Sequence, residues 1–408
     1  MSSSLALYLT VFGALLLVAV LLDDMADRLR MPGILLVLVL GLLSENDIDP
    51  VPGGGHRLLS LVQADEIAQL ALVLVLFFGG LTTNWASMRP VLRPAFRLAS
   101  VGSLLTALLL MGLVVGLGAL PVGNLNPSIS VALFVGAMLC STDASAVMAL
   151  LRPLAGHLPR RLTDLIECES AFNDPVAVLL AGLALAMASG HAAATGPELI
   201  TEVIRQFLLG ALLGFLGGSL ARQLLEGRRS LTEPPMLPVV SLAMLFLLVG
   251  ATELLGGSPL LAAYLAGLVL ANGAEADRSV LVMAHAGFAK MAELMLFLCL
   301  GLVVRPDHVV ASLGWAVVLF LAMQLVRWLI VEVLLVRSGF ARPARVMITF
   351  AGLRGAVPIA LAIQAAASPV PWGRAMPPLA LGVVLLGLLL QGFALVPLAR
   401  RLGLASAG

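Results

Sequence analysis

Apolar runs of about 20 residues recur along almost the whole chain, and no other feature limits its fold so strongly. At 1.5 Å per residue each run is long enough to cross a hydrocarbon core of about 30 Å, so the runs read as membrane-crossing helices. The balance of residues agrees: 60% are hydrophobic and 12% charged, against roughly 25% charged in soluble domains. The expected architecture is an all-α polytopic membrane protein. Its thirteen spans are expected at roughly 5–22, 31–46, 66–83, 95–119, 128–151, 162–189, 199–221, 236–254, 258–273, 281–304, 308–336, 344–367 and 376–399. No soluble domain remains once these are removed, so residues 1–408 are expected to form one transmembrane domain. The first run, "LALYLTVFGALLLVAVLL", has no basic flank and no small-residue cleavage site, and reads as a retained helix.

Basic residues orient the chain. Loops after odd-numbered spans, with the adjoining span ends, carry most of the arginines, among them Arg28, Arg30, Arg89, Arg93, Arg97, Arg161, Arg228, Arg229, Arg278, Arg337, Arg400 and Arg401. Loops after even-numbered spans carry only Arg57, Arg305 and Arg374. That bias places the former loops and the C-terminus in the cytoplasm and the N-terminus outside; the expected location is the cell (inner) membrane. A net charge of +1 gives no reason to expect a nucleic-acid partner. Cys140, Cys168 and Cys299 fall in spans and read as small packing residues without a disulfide. The histidines lack metal-ligand spacing, and no motif asks for a cofactor.

A charge deep in a bilayer costs at least about 2.5–3.5 kcal/mol, so deep polarity marks function. Span 5 carries Cys140, Ser141, Thr142, Asp143 and Ser145 as a polar island at its middle. Short hydroxyl and carboxylate groups compete for backbone hydrogen bonds, so the helix is expected to break there. Span 6 contains "ECESAFNDPVAVLL". At 100° per residue Glu167, Ser170 and Asp174 share one face, and Glu169 and Asn173 pair on another. Asp164, Glu167 and Asp174 step inward, as an acidic entrance ending at a buried carboxylate would. Near the interface, Asp164 and Glu167 read equally well as a solvated helix end.

Span 12 sets Arg354 between Gly352 and Gly355, with Pro358 close behind, which predicts a second break. A buried arginine cannot discharge itself and needs an anion; Glu169 is the expected partner. Lys290 and Glu293 read as a local ion pair, and Glu253, Arg205, Arg327 and Glu332 as pairing or snorkelling groups. Spans 5 and 12 are the fifth members of two six-span sets, 1–6 and 8–13, that run in opposite senses. Interrupted spans at matching places of inverted halves are expected of a secondary transporter with a midplane site.

At these spans the chain resembles the monovalent cation:proton antiporter family, in its NhaP-type branch. "STDASAVMALL" at 141–151 is similar to the family's Thr-Asp crossing motif, "ESAFNDPVAVLL" at 169–180 to its Glu-Ser-x-x-Asn-Asp-Pro motif, and "GLRGAVPIALA" at 352–362 to its Gly-Leu-Arg-Gly segment. "MPGILLVLVLGLL" and "GGSPLLAAYLAGLVLAN" also match in order, and the wording is nearest to potassium/proton antiporters of the cell-volume-regulation kind. The resemblance implies Asp174 as the carboxylate alternating between H+ and Na+ or K+. Asn173 before it implies electroneutral one-for-one exchange. Thr142 and Asp143 would stand at the crossing, Ser170 would ligate the cation with Asp174 and Thr142, and Glu169 would pair with Arg354. It further implies transport helices at about 95–189 and 308–401 moving against scaffold helices at about 5–83 and 199–304, and a homodimer. Relatives of that kind commonly add cytoplasmic regulatory domains, and none is expected here after Arg401. Phe172 and Phe78 depart from the family's pattern. Competing readings are electrogenic exchange in the same family, an intramembrane aspartyl protease using Asp143 and Asp174, and a channel. The protease would need Gly-x-Gly-Asp and Tyr-Asp segments and the channel a repeated filter, none of which is evident.

Overall fold

The computed structural model describes residues 3–29, 32–44, 59–118, 128–154, 156–189, 196–226, 236–272 and 275–405. Of the arginines used for orientation, Arg30, Arg57, Arg228 and Arg229 lie outside the described residues, as do the side chains of Arg28 and Arg278 and the expected span ends at 31, 45–46, 119 and 273. The regular structure of the described residues is all helical, in the order α1 (Ser3–Leu29), α2 (Gly33–Leu43), α3 (Leu61–Thr82), the short α4 (Trp85–Met88) and α5 (Leu92–Arg97), α6 (Ser103–Gly118), α7 (Ile129–Cys140), α8 (Ala144–Leu151) and α9 (Arg160–Ala188). The second part runs α10 (Gly196–Glu226), α11 (Leu237–Leu254), α12 (Pro259–Ala271), α13 (Glu275–Val303), α14 (Pro306–Leu335), α15 (Arg342–Phe350), α16 (Ala356–Ala367), α17 (Met376–Leu386) and α18 (Gly392–Arg401).

Ten of these helices, counted through their breaks and bulges, are long and apolar enough to cross a bilayer. The spans expected at 31–46, 258–273 and 344–367 contain shorter apolar helices, α2, α12 and α16, of 11, 13 and 12 residues. At 1.5 Å per residue these rise less than about 20 Å, so length alone does not make them spans.

Both expected interruptions are present. The helical run of span 5 stops at Cys140 and resumes at Ala144, with Ser141 and Asp143 extended between. That of span 12 stops at Phe350 and resumes at Ala356. Around them α7 packs against α6 and α9, α14 against α17, and α3 against α12, α13 and α16. Small residues set the closest approach: Gly80 of α3 lies against the backbone of Tyr264, Gly267 and Leu268 on α12, and a Cβ at either glycine would overlap it. In lipid, where apolar side chains gain little by leaving the solvent, such close backbone packing holds helices together.

Candidate functional site

The two interrupted segments cross and bond to each other: the Asp143 N–H donates to the Leu353 carbonyl at 2.9 Å. Each break leaves unpaired backbone groups at membrane depth, and neighbouring side chains satisfy them. Asp143 caps α8, its Oδ1 accepting from the Ala146 N–H at 3.1 Å and from Ser145 Oγ at 2.6 Å. This carboxylate also meets the partial positive charge of the helix start. Gly355 faces it so closely that a methyl group there would overlap Asp143 Oδ2.

From α9, Ser170 and Asn173 reach across to the first break. Ser170 Oγ donates to the Thr142 carbonyl and accepts from the Ala144 N–H at 2.9 Å. Asn173 Nδ2 donates to Thr142 Oγ1 at 2.7 Å, and its Oδ1 accepts from the Thr142 N–H at 3.3 Å. Ser170 and Asn173 therefore hold the unwound chain in place. Beside them α9 carries Pro175, which removes one helical hydrogen bond next to Asp174.

Asp174 is different. Its carboxylate accepts no hydrogen bond from a described residue and faces a cavity of about 30 Å³ lined by Ser141, Thr142, Asp143, Gly355–Pro358 and, from α3, Leu72, Val75 and Leu76. That is room for at least one water-sized guest. Ser141 Oγ, on the same cavity, is buried and has no hydrogen-bond partner. Leu72 also borders a vestibule of about 630 Å³ that contains Gln69, Gln206, Glu253 and Gln364.

The expected pairing of Glu169 with Arg354 is corrected. Glu169, 1% exposed, is held by Arg327 of α14: Nη1 reaches Oε1, and Nη2 reaches Oε2 at 2.8 Å. Arg354 leaves the unwound segment toward Met323 Sδ (3.0 Å) and the Gly352 carbonyl (3.2 Å). Met323 and Arg327 stand one turn apart on α14, and the latter takes the carboxylate. Arg354 instead places its charge just past the last residue of α15 and in electrostatic range of Cys140, the last of α7. The negative ends of two half-helices meet there.

The acidic entrance is not assembled at the cavity: Glu167 is exposed, Asp164 is half-buried, and neither lines it. Lys290 joins Glu293 at 3.4 Å, as expected, and also Asp23 of α1 at 3.1 Å. Phe172 packs edge-on against Tyr264 and Phe96, and Phe78 is half-buried on α3 outside the cavity wall. Ser141, Arg327, Met323 and Gln391 also stand at the site, without a site role expected from sequence; the last donates to the Phe350 carbonyl at the end of α15 at 2.9 Å. Ser141 stands in the polar island, so a signal was present. Arg327, a charge within a span, is expected to pair or snorkel but with no partner named; Met323 and Gln391 carry no signal beyond being polar or polarizable residues within spans.

Crossed half-helices with an unpaired carboxylate beside the crossing define the architecture of a secondary transporter. The transmembrane sodium/hydrogen exchanger family profile matches residues 13–401, and the chain belongs to that family. It is 33% identical over 396 residues to the K(+)/H(+) antiporter NhaP2 of Shewanella oneidensis, with 95% of this chain and 66% of that protein covered. It is 30% identical to the K(+)/H(+) antiporter NhaP of Alkalimonas amylolytica, with 98% and 67% covered. The chain thus spans about two thirds of the length of these relatives. Its fold is similar to that of the sodium proton antiporter MjNhaP1 of Methanocaldococcus jannaschii at pH 8, with a TM-score of 0.80, 21% identity, and 98% of this chain and 99% of that one covered.

Proposed function

We propose that the protein exchanges a monovalent cation, Na+ or K+, for H+, and that both occupy the Asp174 carboxylate in turn. The observation that carries this reading is the contrast at that one group: its neighbours are bonded, while Asp174 faces a cavity of single-ion size beside the unpartnered Ser141 hydroxyl. Carboxylate and hydroxyl oxygens suit hard monovalent cations. A cation stabilises the charged carboxylate and a proton discharges it, so the two compete. Ser141 and Thr142 are the hydroxyl ligands this geometry favours; Ser170 acts by holding the break open. The names of the two relatives favour K+.

With one exchanging carboxylate and Asn173 beside it, each cation replaces one proton and exchange is electroneutral. The electrogenic alternative needs a second proton carrier at the cavity, and Asp143, which lines it, is the group available. Its capping of α8 argues for the first reading.

Alternating access fits the same picture, with transport helices at about 95–189 and 308–401 moving against scaffold helices at about 5–83 and 199–304. Under the charge-bias orientation the vestibule beyond Leu72 opens outward. A homodimer in the inner membrane, C-terminus in the cytoplasm, completes the proposal on family grounds. The test is proton flux in reconstituted vesicles carrying a pH dye. A pH change on adding KCl or NaCl that is insensitive to clamping the membrane potential supports electroneutral exchange and names the ion. No change with either ion, in folded protein, contradicts it.

A further inference from the structure

Far from the Asp174 cavity, a pocket of about 450 Å³ gathers Arg89, Arg93, Arg97, Arg161 and Arg337 beside Trp85, and no carboxylate lines it. The arginines come from three separate parts of the chain: the α4–α5 segment, the first turn of α9 and the turn after α14. Arg161 is fixed in place, donating to the Ser338 carbonyl at 2.8 Å and the Gly339 carbonyl at 3.3 Å, with its guanidinium 4.5 Å from the Phe340 ring centroid. The turn needs glycine at this point, since Gly339 has φ of +74°. Among the described residues Arg89, Arg93, Arg97 and Arg337 form no ion pair, whereas Arg205, Arg222, Arg305, Arg327 and Arg345 all do. Like charges brought together without a counter-charge repel one another, and an anion in their midst reverses the sign of that interaction.

The surroundings indicate which anion. Exposed apolar side chains continue from the pocket along both adjoining helical runs: Phe96 between Arg93 and Arg97, Val101 and Leu104 beyond them, and Val336, Val333 and Leu329 before Arg337. The α14 helix packs against α6 and against the segment joining α5 to α6, so the two rows belong to neighbouring helices. Trp85 is 42% exposed, as a side chain at the headgroup level would be. All five arginines belong to loops and span ends that the charge bias assigns to the cytoplasmic side. We propose that this pocket binds the phosphate of an anionic membrane phospholipid, whose acyl chains lie along the exposed rows on the α5–α6 and α14 runs. Guanidinium groups bond phosphate oxygens in pairs, and basic pockets between helices on this side of a membrane take anionic headgroups.

The test is lipid retention by the purified full chain, read by native mass spectrometry after detergent exchange, with phosphatidylglycerol and phosphatidylcholine as probes. Phosphatidylglycerol should be retained at least about tenfold better. The double substitution Arg93→Gln/Arg337→Gln should weaken that retention roughly 25-fold. Arg400→Gln/Arg401→Gln, which removes the same charge elsewhere on that side, should leave it unchanged. If the first variant unfolds, Arg89→Gln at the exposed end of α4 should still weaken retention about fivefold. Equal loss in both double variants, or none in either, would overturn the site. Phosphatidylglycerol retained no better than phosphatidylcholine, with inorganic phosphate raising the unfolding temperature of the parent but not of Arg93→Gln/Arg337→Gln, would assign the pocket to a free anion instead and overturn the lipid. None of these readouts depends on ion exchange.

Discussion

Glu169 and Asp174 stand five residues apart on one helix, and their surroundings give them opposite properties. Glu169 is 1% exposed and has both oxygens bonded to Arg327; its charge is neutralised, and removing either partner would strand the other buried charge. Asp174 accepts no hydrogen bond from a described residue and looks into a cavity with room for one small guest. A carboxylate that is already satisfied fixes two helices to each other. One left unsatisfied beside a cavity is free to take a proton or a cation in turn, which is the role proposed for Asp174. At 100° per residue, five residues turn the side chain by about 140°, enough for one helix to carry both.

The comparison can be broken from either side. Asp174→Asn should lower exchange at least about a hundredfold in vesicles while leaving thermal unfolding close to that of the parent, because no bonded partner is lost. Arg327→Ala should do the reverse in kind, destabilising the protein by about 3–5 kcal/mol because Glu169 is left buried and unpaired; a drop in unfolding temperature reads it. Adding Glu169→Gln to that variant should restore much of the loss, whereas Arg354→Gln should cost less than Arg327→Ala, since Arg354 bonds no carboxylate. Asn173→Ala removes two bonds to Thr142 and should cost about 1–3 kcal/mol, with exchange reduced because the break loses its hold. The smallest effect, under about twofold on exchange, is expected for Glu167→Gln, whose side chain does not line the cavity.

Much of this was legible in the residues. The polar island at 141–145 and the Gly-Leu-Arg-Gly segment marked both breaks, because short polar groups, glycine and proline all weaken a helix. Asp174 stood out as a charge in an apolar run. The partner of Glu169 was not legible. Arg327 and Arg354 are both buried arginines far away in sequence, and choosing between them requires knowing how α14 lies against α9. Leu72, Val75 and Leu76 were hidden for a different reason: a leucine that walls an ion cavity reads like any leucine in a span. Ser170 is expected from sequence as a cation ligand and Asn173 as a mark of electroneutral exchange; their hydrogen bonds to Thr142 and Ala144 at the break depend on directions that exist only in three dimensions.

If cation and proton share the Asp174 carboxylate, binding the one must release the other. Purified protein is titrated with KCl and with NaCl in buffers of different ionisation enthalpy, and calorimetry counts the protons given up at a pH where the site is protonated. About one proton should be released per cation bound, and none with Asp174→Asn. Cation binding without proton release in the parent protein, or release that survives Asp174→Asn, would contradict it.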